Sequence, residues 1–163
     1  MKMKRIETIL IIYQPPKILL GFKNPKKKFG GKWNGFGGGL EEGQSLEECA
    51  IKETFDETGL FVKDLKKRGI IMFYFENGEE HEVHFYITNN YKGKPDTSKD
   101  FVKYKFFHEE EMSKVYDNMM PADRYWIPFL ISGKLFTGEV YFTKKSGKLE
   151  VKNHNINAVR NLS

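Results

Sequence analysis

The sequence predicts an α+β fold in a single domain that spans all 163 residues. Two observations support this prediction. Segments rich in β-branched and aromatic residues, which are typical of strands, outnumber the segments with helical spacing. The two kinds also follow one another in a mixed order, which favours layered α+β packing over a doubly wound parallel sheet. A chain of this length is expected to bury about 70% of its unfolded surface.

The first part of the chain is predicted to contain two strands, a basic loop, a glycine-rich segment and one helix. The two strands are predicted at residues 5–13 and 18–23, with a proline turn at residues 14–16 between them. The basic loop follows at residues 24–32, and the glycine-rich segment at residues 33–40. The helix is predicted over residues 46–58, because Ser45 and Glu48 have the spacing of a capping box. Gly59 suits the left-handed conformation that ends a helix.

The second part of the chain is predicted to contain four longer strands, one short strand and a short helix. A strand pair is predicted at residues 69–75 and 83–88, followed by a polar loop at residues 93–100 and the short strand at residues 104–107. The short helix is predicted at residues 122–131, and a closing strand pair at residues 135–143 and 149–153. The dipeptide Asn77–Gly78 lies inside the first pair and is a strong hairpin signal. The last ten residues have little to bury, and we expect them to be loosely packed.

Cysteine usage and the N-terminal sequence indicate the compartment. Cys49 is the single cysteine, so an internal disulfide is impossible and a reducing cytoplasm is the expected location. The apolar run before Gln14 is too short to span a membrane, and it lacks the cleavage site of a signal peptide. We therefore expect a cytoplasmic protein without membrane contact.

The positive charge of the chain is concentrated in one loop. The net charge is +5 and the isoelectric point is about 9.1. Much of the excess comes from Lys23, Lys26, Lys27, Lys28 and Lys32. These lysines either form a solvated surface loop or a positive rim that attracts a polyanion. Nucleotide phosphates and nucleic acid would both suit such a rim.

Three acids in the predicted helix share one face. Glu53, Asp56 and Glu57 are spaced i, i+3 and i+4, which places them on a narrow arc. Two like charges one turn apart cost roughly a few tenths of a kcal/mol in an isolated helix. The spacing therefore indicates either a solvated face or a bound cation, for which oxygen ligands favour magnesium or manganese over zinc.

The stretch from residue 35 to residue 60 resembles the box motif of the Nudix hydrolase family, which covers about residues 38–60 here. The positions that match outright, at the family's spacing, are Gly38, Glu53, Glu57, Gly59 and Leu60. Asp56 stands where the family has Glu. Three positions depart from the motif: Gln44 replaces a Glu, Lys52 an Arg and Thr54 an aliphatic residue.

The resemblance extends over nearly the whole chain to the MutT-homologue branch of the family. Its animal members are oxidised-purine nucleoside triphosphate hydrolases, or 8-oxo-dGTP diphosphatases, which sanitise the nucleotide pool. The similar segments are Thr8, Gln14–Pro15, Leu19–Leu20–Gly21, Lys23, residues 32–38 and Tyr125–Trp126–Ile127–Pro128. The resemblance implies the Nudix α/β/α sandwich with a central mixed sheet.

The resemblance also implies an activity and a set of site residues. The activity is Mg²⁺-dependent hydrolysis, with Mn²⁺ as the alternative ion, of a purine nucleoside triphosphate to monophosphate and pyrophosphate. Glu57 and Glu53 are the implied catalytic residues. The implied metal ligands are the Gly37 carbonyl, Glu53, Asp56, Glu57 and Asp100, although Asp100 could equally be a loop carboxylate without a role. The implied substrate contacts are Thr8, Lys23, Asn34, Phe36, Gly37, Gly38, Phe73, Met120, Asp123 and Trp126.

Several alternatives remain open from the sequence. Phe73 and Trp126 could be ordinary core residues. The branch has an acid where this chain has Ala122 and a Trp where it has Met120, so selectivity for oxidised guanine is open. The substrate could instead be another nucleoside diphosphate derivative or a capped RNA end, or the domain could bind nucleotides without turnover. We expect a nucleoside triphosphate as the partner, no nucleic acid and a monomeric chain.

Overall fold

Eleven strands and three α-helices form residues 3–163, the part of the chain that the computed structural model describes. The strands are β1 (Met3–Gln14), β2 (Lys17–Lys23), β3 (Trp33–Asn34), β4 (Phe36–Gly39), β5 (Phe61–Lys63), β6 (Lys66–Tyr74), β7 (Glu79–Thr88), β8 (Asn90–Lys92), β9 (Phe101–His108), β10 (Leu135–Lys145) and β11 (Lys148–Val159). The helices are α1 (Leu46–Thr58), α2 (Met112–Val115) and α3 (Asp123–Ser132). None of these helices is both long and apolar enough to cross a membrane.

Nine of the strands form one mixed sheet that is organised around β1. The order is β11-β10-β6-β7-β1-β2-β3, with β4 also paired to β1 and β9 paired to β2. The pairs β1–β7 and β6–β10 are parallel, and the other pairs are antiparallel. β1 pairs with β4 along residues 7–10 and with β2 along residues 12–14, so the sheet divides beside it. The predicted α+β class and mixed sheet are confirmed.

Alternation along β1 separates two hydrophobic cores. Leu10 and Ile12 belong to the cluster that includes Ala50 of α1, whereas Ile11 belongs to the cluster that includes Trp126 of α3. Successive side chains of a strand point to opposite faces of its sheet. Helices α1 and α3 therefore cover opposite faces, as in the sandwich that the family resemblance implied.

Helix α1 begins and ends where the sequence predicts. The Ser45 hydroxyl accepts a hydrogen bond from the Glu48 amide at 3.1 Å, and the Glu48 carboxylate accepts one from the Ser45 amide at 3.1 Å. Gly59 has φ of 77°, and its amide donates to the Phe55 carbonyl at 2.7 Å. A good N-cap is worth about 1 kcal/mol. These contacts fix the register of the acidic face relative to β4.

The predicted hairpin at Asn77–Gly78 is also confirmed. It joins the antiparallel strands β6 and β7, and Gly78 has φ of 93°. The Asn77 side chain accepts a hydrogen bond from the Glu79 amide at 2.9 Å. Both strands are longer than predicted, because their ladder continues past the apolar residues into polar sequence.

Several features differ from the sequence prediction, among them the glycine-rich segment, which forms strands β3 and β4. The short antiparallel pair β5–β8 and the one-turn helix α2 were not predicted, because their sequences are too short for periodicity to show. β11 continues to Val159 rather than ending near Asn153, and most of these added residues have exposed side chains. Backbone pairing with β10 therefore orders a segment that buries little apolar surface.

Candidate active site

A cleft of about 170 Å³ lies where β1 and β4 approach the C-terminal half of α1 and the start of α3. The predicted site residues that line it are Thr8, Lys23, Asn34, Gly37, Gly38, Glu57, Met120, Asp123 and Trp126. These residues come from strands, helices and connections across the whole domain. The fold thus gathers most of the predicted substrate contacts around one catalytic candidate.

Glycines let β4 approach both β1 and α1 closely. A Cβ atom on Gly37 would lie 1.8 Å from the Thr8 carbonyl oxygen, so no larger residue fits there. A Cβ on Gly38 would lie 2.9 Å from the carboxyl carbon of Glu53. The Glu53 carboxylate therefore packs directly against the backbone of β4. A residue larger than glycine at position 38 would displace it.

Glu57 is tied to the same strand. The Gly37 amide donates a 2.8 Å hydrogen bond to Oε1 of Glu57. Burial raises the pKa of Glu57 to about 8 despite that hydrogen bond, and the negative charges of Glu53 and Asp100 act in the same direction as burial. Burial likewise raises the pKa of Glu53, against the opposing charge of Lys52. Glu53 is not among the residues that line the cleft, but it lies next to the lining residue Gly38, so the fold brings together two carboxyl groups whose ionisation is unfavourable without a compensating positive charge.

This donor set fits a hard divalent cation. The Glu53 and Glu57 carboxylates and the Gly37 carbonyl are oxygen donors of the kind that Mg²⁺ prefers. Among residues 3–163, however, no three acidic, histidine or cysteine side chains are close enough to enclose an ion by themselves. Mg²⁺ is usually held by one or two carboxylates, with waters and substrate phosphates completing its shell. Two carboxylates and a backbone oxygen agree with that mode of binding.

The structure treats the other two predicted metal ligands differently. Asp56 is exposed, and its carboxylate pairs with Nζ of Lys52 at 2.8 Å on the outer side of α1, so it does not reach the cleft. Its position is 100° around the helix from Glu57, which directs it away from β4. Asp100 lies 3.7 Å from Nζ of Lys27, and its charge acts on both Glu53 and Glu57. The charge of Asp56 raises the pKa of Glu53 as well, so the two acids differ in that Asp56 is paired with Lys52 on the exposed side of α1.

Asp123, the first residue of α3, lines the same cleft from the other helix. Its side chain is buried, and its Oδ1 accepts a 3.0 Å hydrogen bond from the indole nitrogen of Trp126. Burial raises the pKa of Asp123 to about 7, although the Trp126 hydrogen bond opposes the shift. Near neutral pH this carboxyl can therefore act as a hydrogen-bond donor as well as an acceptor. Asn34, also in the cleft, is anchored by a 3.0 Å hydrogen bond to the Lys32 carbonyl.

Three predicted contacts have side chains directed elsewhere. Phe36 is fully buried with an edge-on contact to Phe101, and Phe73 stacks on Phe142 with 5.7 Å between ring centroids. Neither ring lines the cleft, so both phenylalanines act in packing: Phe36 belongs to the hydrophobic cluster beside α1 and Phe73 to the one beside α3. The Thr8 hydroxyl lies 3.4 Å from the Cys49 thiol and faces α1. Trp126 combines the two roles: it lines the cleft, and with 2% of its surface exposed it is also part of the packed core.

The departures from the box motif have local partners. The Thr54 hydroxyl is buried and donates to the Ala50 carbonyl at 2.7 Å, so the polar group is satisfied in a packed position. The Gln44 side chain accepts from the Glu41 amide at 3.1 Å and closes the turn before α1. Lys52 pairs with Asp56, so it has no contact with Gln44 to replace the acid–arginine pair of the motif.

Sequence reasoning missed five residues of the cleft. They are Glu7, Ile9, Gly35, Val83 and Phe101. The parallel register of β1 and β7 brings Glu7, Ile9 and Val83 together, and the pairing of β9 with β2 places Phe101 beside Lys23; no local pattern shows either. One signal was available for Glu7: it is an acid at a position that alternates with the apolar residues Ile9 and Ile11 in the first strand.

Comparison with known proteins agrees with this geometry. The family model described as the NUDIX domain matches residues 3–130. A protein of Mus musculus named oxidized purine nucleoside triphosphate hydrolase is 35% identical over 144 residues, covering 87% of this chain and 89% of the relative. A protein of the same name from Danio rerio is 35% identical over 160 residues, with 97% of each chain covered. The crystal structure of a MutT protein from Bacillus halodurans shares the fold, with a TM-score of 0.77, 24% identity, and coverage of 94% of this chain and 97% of that one.

Proposed function

The chain belongs to the Nudix hydrolase family, and on that basis we propose that it is a Mg²⁺-dependent pyrophosphohydrolase of purine nucleoside triphosphates, including oxidised ones. The observation that supports this most is one cleft lined both by Glu57 of α1 and by Asp123 of α3, two helices that cover opposite faces of the sheet. A cation-binding end and a hydrogen-bonding end match the two parts of a nucleotide. The names of the 35% identical relatives support the substrate class.

Glu57, Glu53 and the Gly37 carbonyl would hold the metal ion in this proposal. Nudix hydrolases generally use divalent metals such as Mg²⁺. When bound, the ion supplies charge neutralisation to the phosphate oxygens and polarises the leaving group. Lys23 lines the same cleft, and its ammonium group adds positive charge for the phosphates.

The chain's own residues account for the positioning and the proton. Glu57 is held by the Gly37 amide, and besides its contact with the metal its carboxylate would orient a water and accept its proton. That water attacks phosphorus, the phosphoanhydride bond breaks, and monophosphate and pyrophosphate leave. Glu53 is fixed against Gly38 and supports the same region. Positioning and electrostatic stabilisation are the main requirements of phosphoryl transfer.

Asp123 and Asn34 would recognise the base beside Trp126. Ala122 is 2% exposed and packs in the core under α3, so the cleft has one acid at this end. A buried hydrogen-bonding site can reject analogues that leave it unpaired by orders of magnitude. Discrimination among purines would therefore depend mainly on the proton of Asp123.

One observation favours a second candidate, nucleotide binding without turnover. Asp56 pairs with Lys52 instead of facing the cleft, and the acid–arginine pair of the box motif is missing. The two intact carboxylates at Gly37 and Gly38 favour catalysis, which is why hydrolysis is the proposal.

A pyrophosphate-release screen tests the proposed function. Common and oxidised purine and pyrimidine triphosphates are incubated with the protein, with and without Mg²⁺, and the products are identified by chromatography. We expect monophosphate and pyrophosphate in equal amounts, only with the metal, and fastest from a purine. Tight binding of the same nucleotides without any product would support the second candidate instead.

Location and assembly are further parts of the proposal. The buried free thiol of Cys49 suits a reducing compartment, which supports the cytoplasm. We propose that the chain acts as a monomer, a state that sedimentation of the pure protein would measure.

A further inference from the structure

Glu7 is a carboxylate in the cleft that the proposed chemistry does not use. It lies on β1 two residues before Ile9, so both side chains are on the same face of the sheet. In the parallel ladder Glu7 is opposite Val83, and all three residues line the cleft. In the antiparallel ladder its neighbour is Gly39, which has no side chain to cover it.

The Glu7 carboxylate is held in one position and kept ionised. Its Oε1 lies 2.6 Å from Nδ1 of His81, and its Oε2 lies 3.7 Å from a guanidinium nitrogen of Arg5. Burial is the largest single effect and opposes ionisation, but the hydrogen bond from His81 together with the charges of His81, Arg5 and Lys23 outweighs it, so the pKa of Glu7 is lowered. His81 is itself mostly buried, with 12% of its side chain exposed. A carboxylate accepts up to about four hydrogen bonds, so these partners leave it acceptor capacity.

A fixed negative charge limits what can lie beside Glu7. Phosphate groups would be repelled, so the part of a nucleotide that lies beside Glu7 is an uncharged one that offers hydrogen-bond donors. The phosphate end of the cleft is defined by Glu57 and Gly37, and the base end by Asp123 and Asn34. Glu7 pairs with Gly39, two positions along the β1–β4 ladder from the Ile9–Gly37 pair, and its side chain lies with that of Ile9 on the face of the sheet that α3 covers, so it lies between the two ends. The part of a nucleotide between phosphates and base is the sugar, whose hydroxyls are uncharged donors.

We propose that Glu7, positioned by His81, accepts a hydrogen bond from a sugar hydroxyl of the nucleotide and so discriminates among sugars. The inference rests on the proposed function for the substrate class. It assigns a specificity role to a residue that the box motif does not contain.

Binding of product-like monophosphates tests the inference independently of turnover. Purine 5′-monophosphates with one base and three sugars (ribose, 2′-deoxyribose and 2′,3′-dideoxyribose) are titrated calorimetrically into wild type, Glu7→Ala and Glu7→Gln. We expect wild type to bind the sugar that lacks the contacted hydroxyl about 10-fold more weakly, since hydrogen bonds to charged groups are the strong ones. Glu7→Ala should reduce the difference to about 2-fold or less, and Glu7→Gln should keep part of it because an amide oxygen still accepts.

Glu82→Gln is the matched control. Glu82 pairs with His84 at 2.8 Å one position from His81 on β7, but on the opposite face of the sheet and outside the cleft. This variant should keep the sugar preference of wild type.

The outcomes separate the inference from the proposed function. Equal binding of the three sugars by wild type, or an equal loss on all three in both Glu7 variants, would overturn the role of Glu7 while leaving the nucleotide assignment intact. Wild type that binds none of the monophosphates and hydrolyses no triphosphate would reject the proposed function, and this inference with it.

Discussion

The main-chain amide of Gly37 donates a 2.8 Å hydrogen bond to Oε1 of Glu57. This contact joins β4 to the last turn of α1 and sets the position of the most strongly perturbed carboxyl group at the cation-binding end of the cleft. Because the donor is a backbone group on a strand paired with β1, its position does not depend on a side-chain rotamer. The catalytic candidate is therefore built into the sheet, and the following predictions use that rigidity.

Replacing Glu57 with Gln should remove the base and one metal donor while keeping the fold. The amide oxygen can still accept from Gly37, and the change removes a carboxylate whose pKa is raised to about 8 by burial. We expect kcat to fall by about 10²-fold or more, the usual contribution of general base catalysis. The melting temperature at pH 8 should be equal to or above that of wild type. Near-normal kcat at saturating Mg²⁺ would reject the assignment of Glu57.

Adding one methyl group at Gly38 should disturb Glu53 specifically. The new Cβ would lie 2.9 Å from the carboxyl carbon, which is the flexible end of the Glu53 side chain, so the carboxylate must move. A displacement of about 1 Å can cost about 10²-fold in rate. We expect Gly38→Ala to lower kcat/KM and Mg²⁺ affinity with little change in melting temperature.

Gly39→Ala is the control for that substitution. The nearest atom to its added Cβ is the guanidinium of Arg5 at 3.5 Å, an ordinary contact, and neither glycine has a left-handed φ. This variant should keep near-wild-type kinetics. If both variants lose activity equally, the close approach of Glu53 is not the cause.

Asp56 and Glu53 should respond differently to neutralisation. Asp56→Asn removes an exposed i,i+4 pair with Lys52, a kind of pair that contributes little to stability. We expect this variant to keep kcat/KM within about 3-fold of wild type, whereas Glu53→Gln should lose about 10-fold or more together with Mg²⁺ affinity. Kinetics over a Mg²⁺ titration measure both. Equal losses would show that Asp56 turns toward the metal when substrate is bound.

Asp123 should make the protein less stable as pH rises. Its pKa is raised from 3.8 to about 7 by burial, so between these values the folded protein holds a proton that the unfolded chain has released. Stability then falls with increasing pH across that interval, and the full loss, on the order of a few kcal/mol, is present above about pH 7. Asp123→Asn removes this term, so its melting temperature relative to wild type should increase from pH 5 to pH 8.5. A difference that is constant with pH would show that the carboxyl is ionised throughout.

The same substitution should affect purines more than pyrimidines. Asp123 is expected to contact the purine edge, and an amide cannot exchange donor and acceptor roles as a carboxyl can. We expect Asp123→Asn to lower kcat/KM for the best purine triphosphate by about 10-fold or more, roughly 1.4 kcal/mol, with a much smaller effect on a pyrimidine triphosphate. Matched kinetic constants on both nucleotides give the answer. Equal losses would assign Asp123 to the fold or to the phosphates.

The sequence by itself determined the elements whose cause is local. Ser45, Glu48 and Gly59 fix the ends of α1 through contacts within a few residues, and Asn77–Gly78 fixes the hairpin in the same way. The box motif and its relatives in the family indicated the sandwich, the Glu53–Glu57 pair and Asp123. Each of these depends on short-range chemistry or on a spacing that a single helix preserves.

Only the tertiary structure decided which side chains reach the cleft. Asp56 satisfies the spacing as well as Glu53 does, but β4 lies on one side of α1 and leaves Asp56 to Lys52. Phe36 and Phe73 matched the family pattern, yet strand alternation and core packing direct their rings elsewhere. Glu7 enters the cleft because β1 pairs in parallel with β7, a long-range register that places His81 beside it. Such choices depend on which faces meet when distant strands pair, and local sequence carries no information about that.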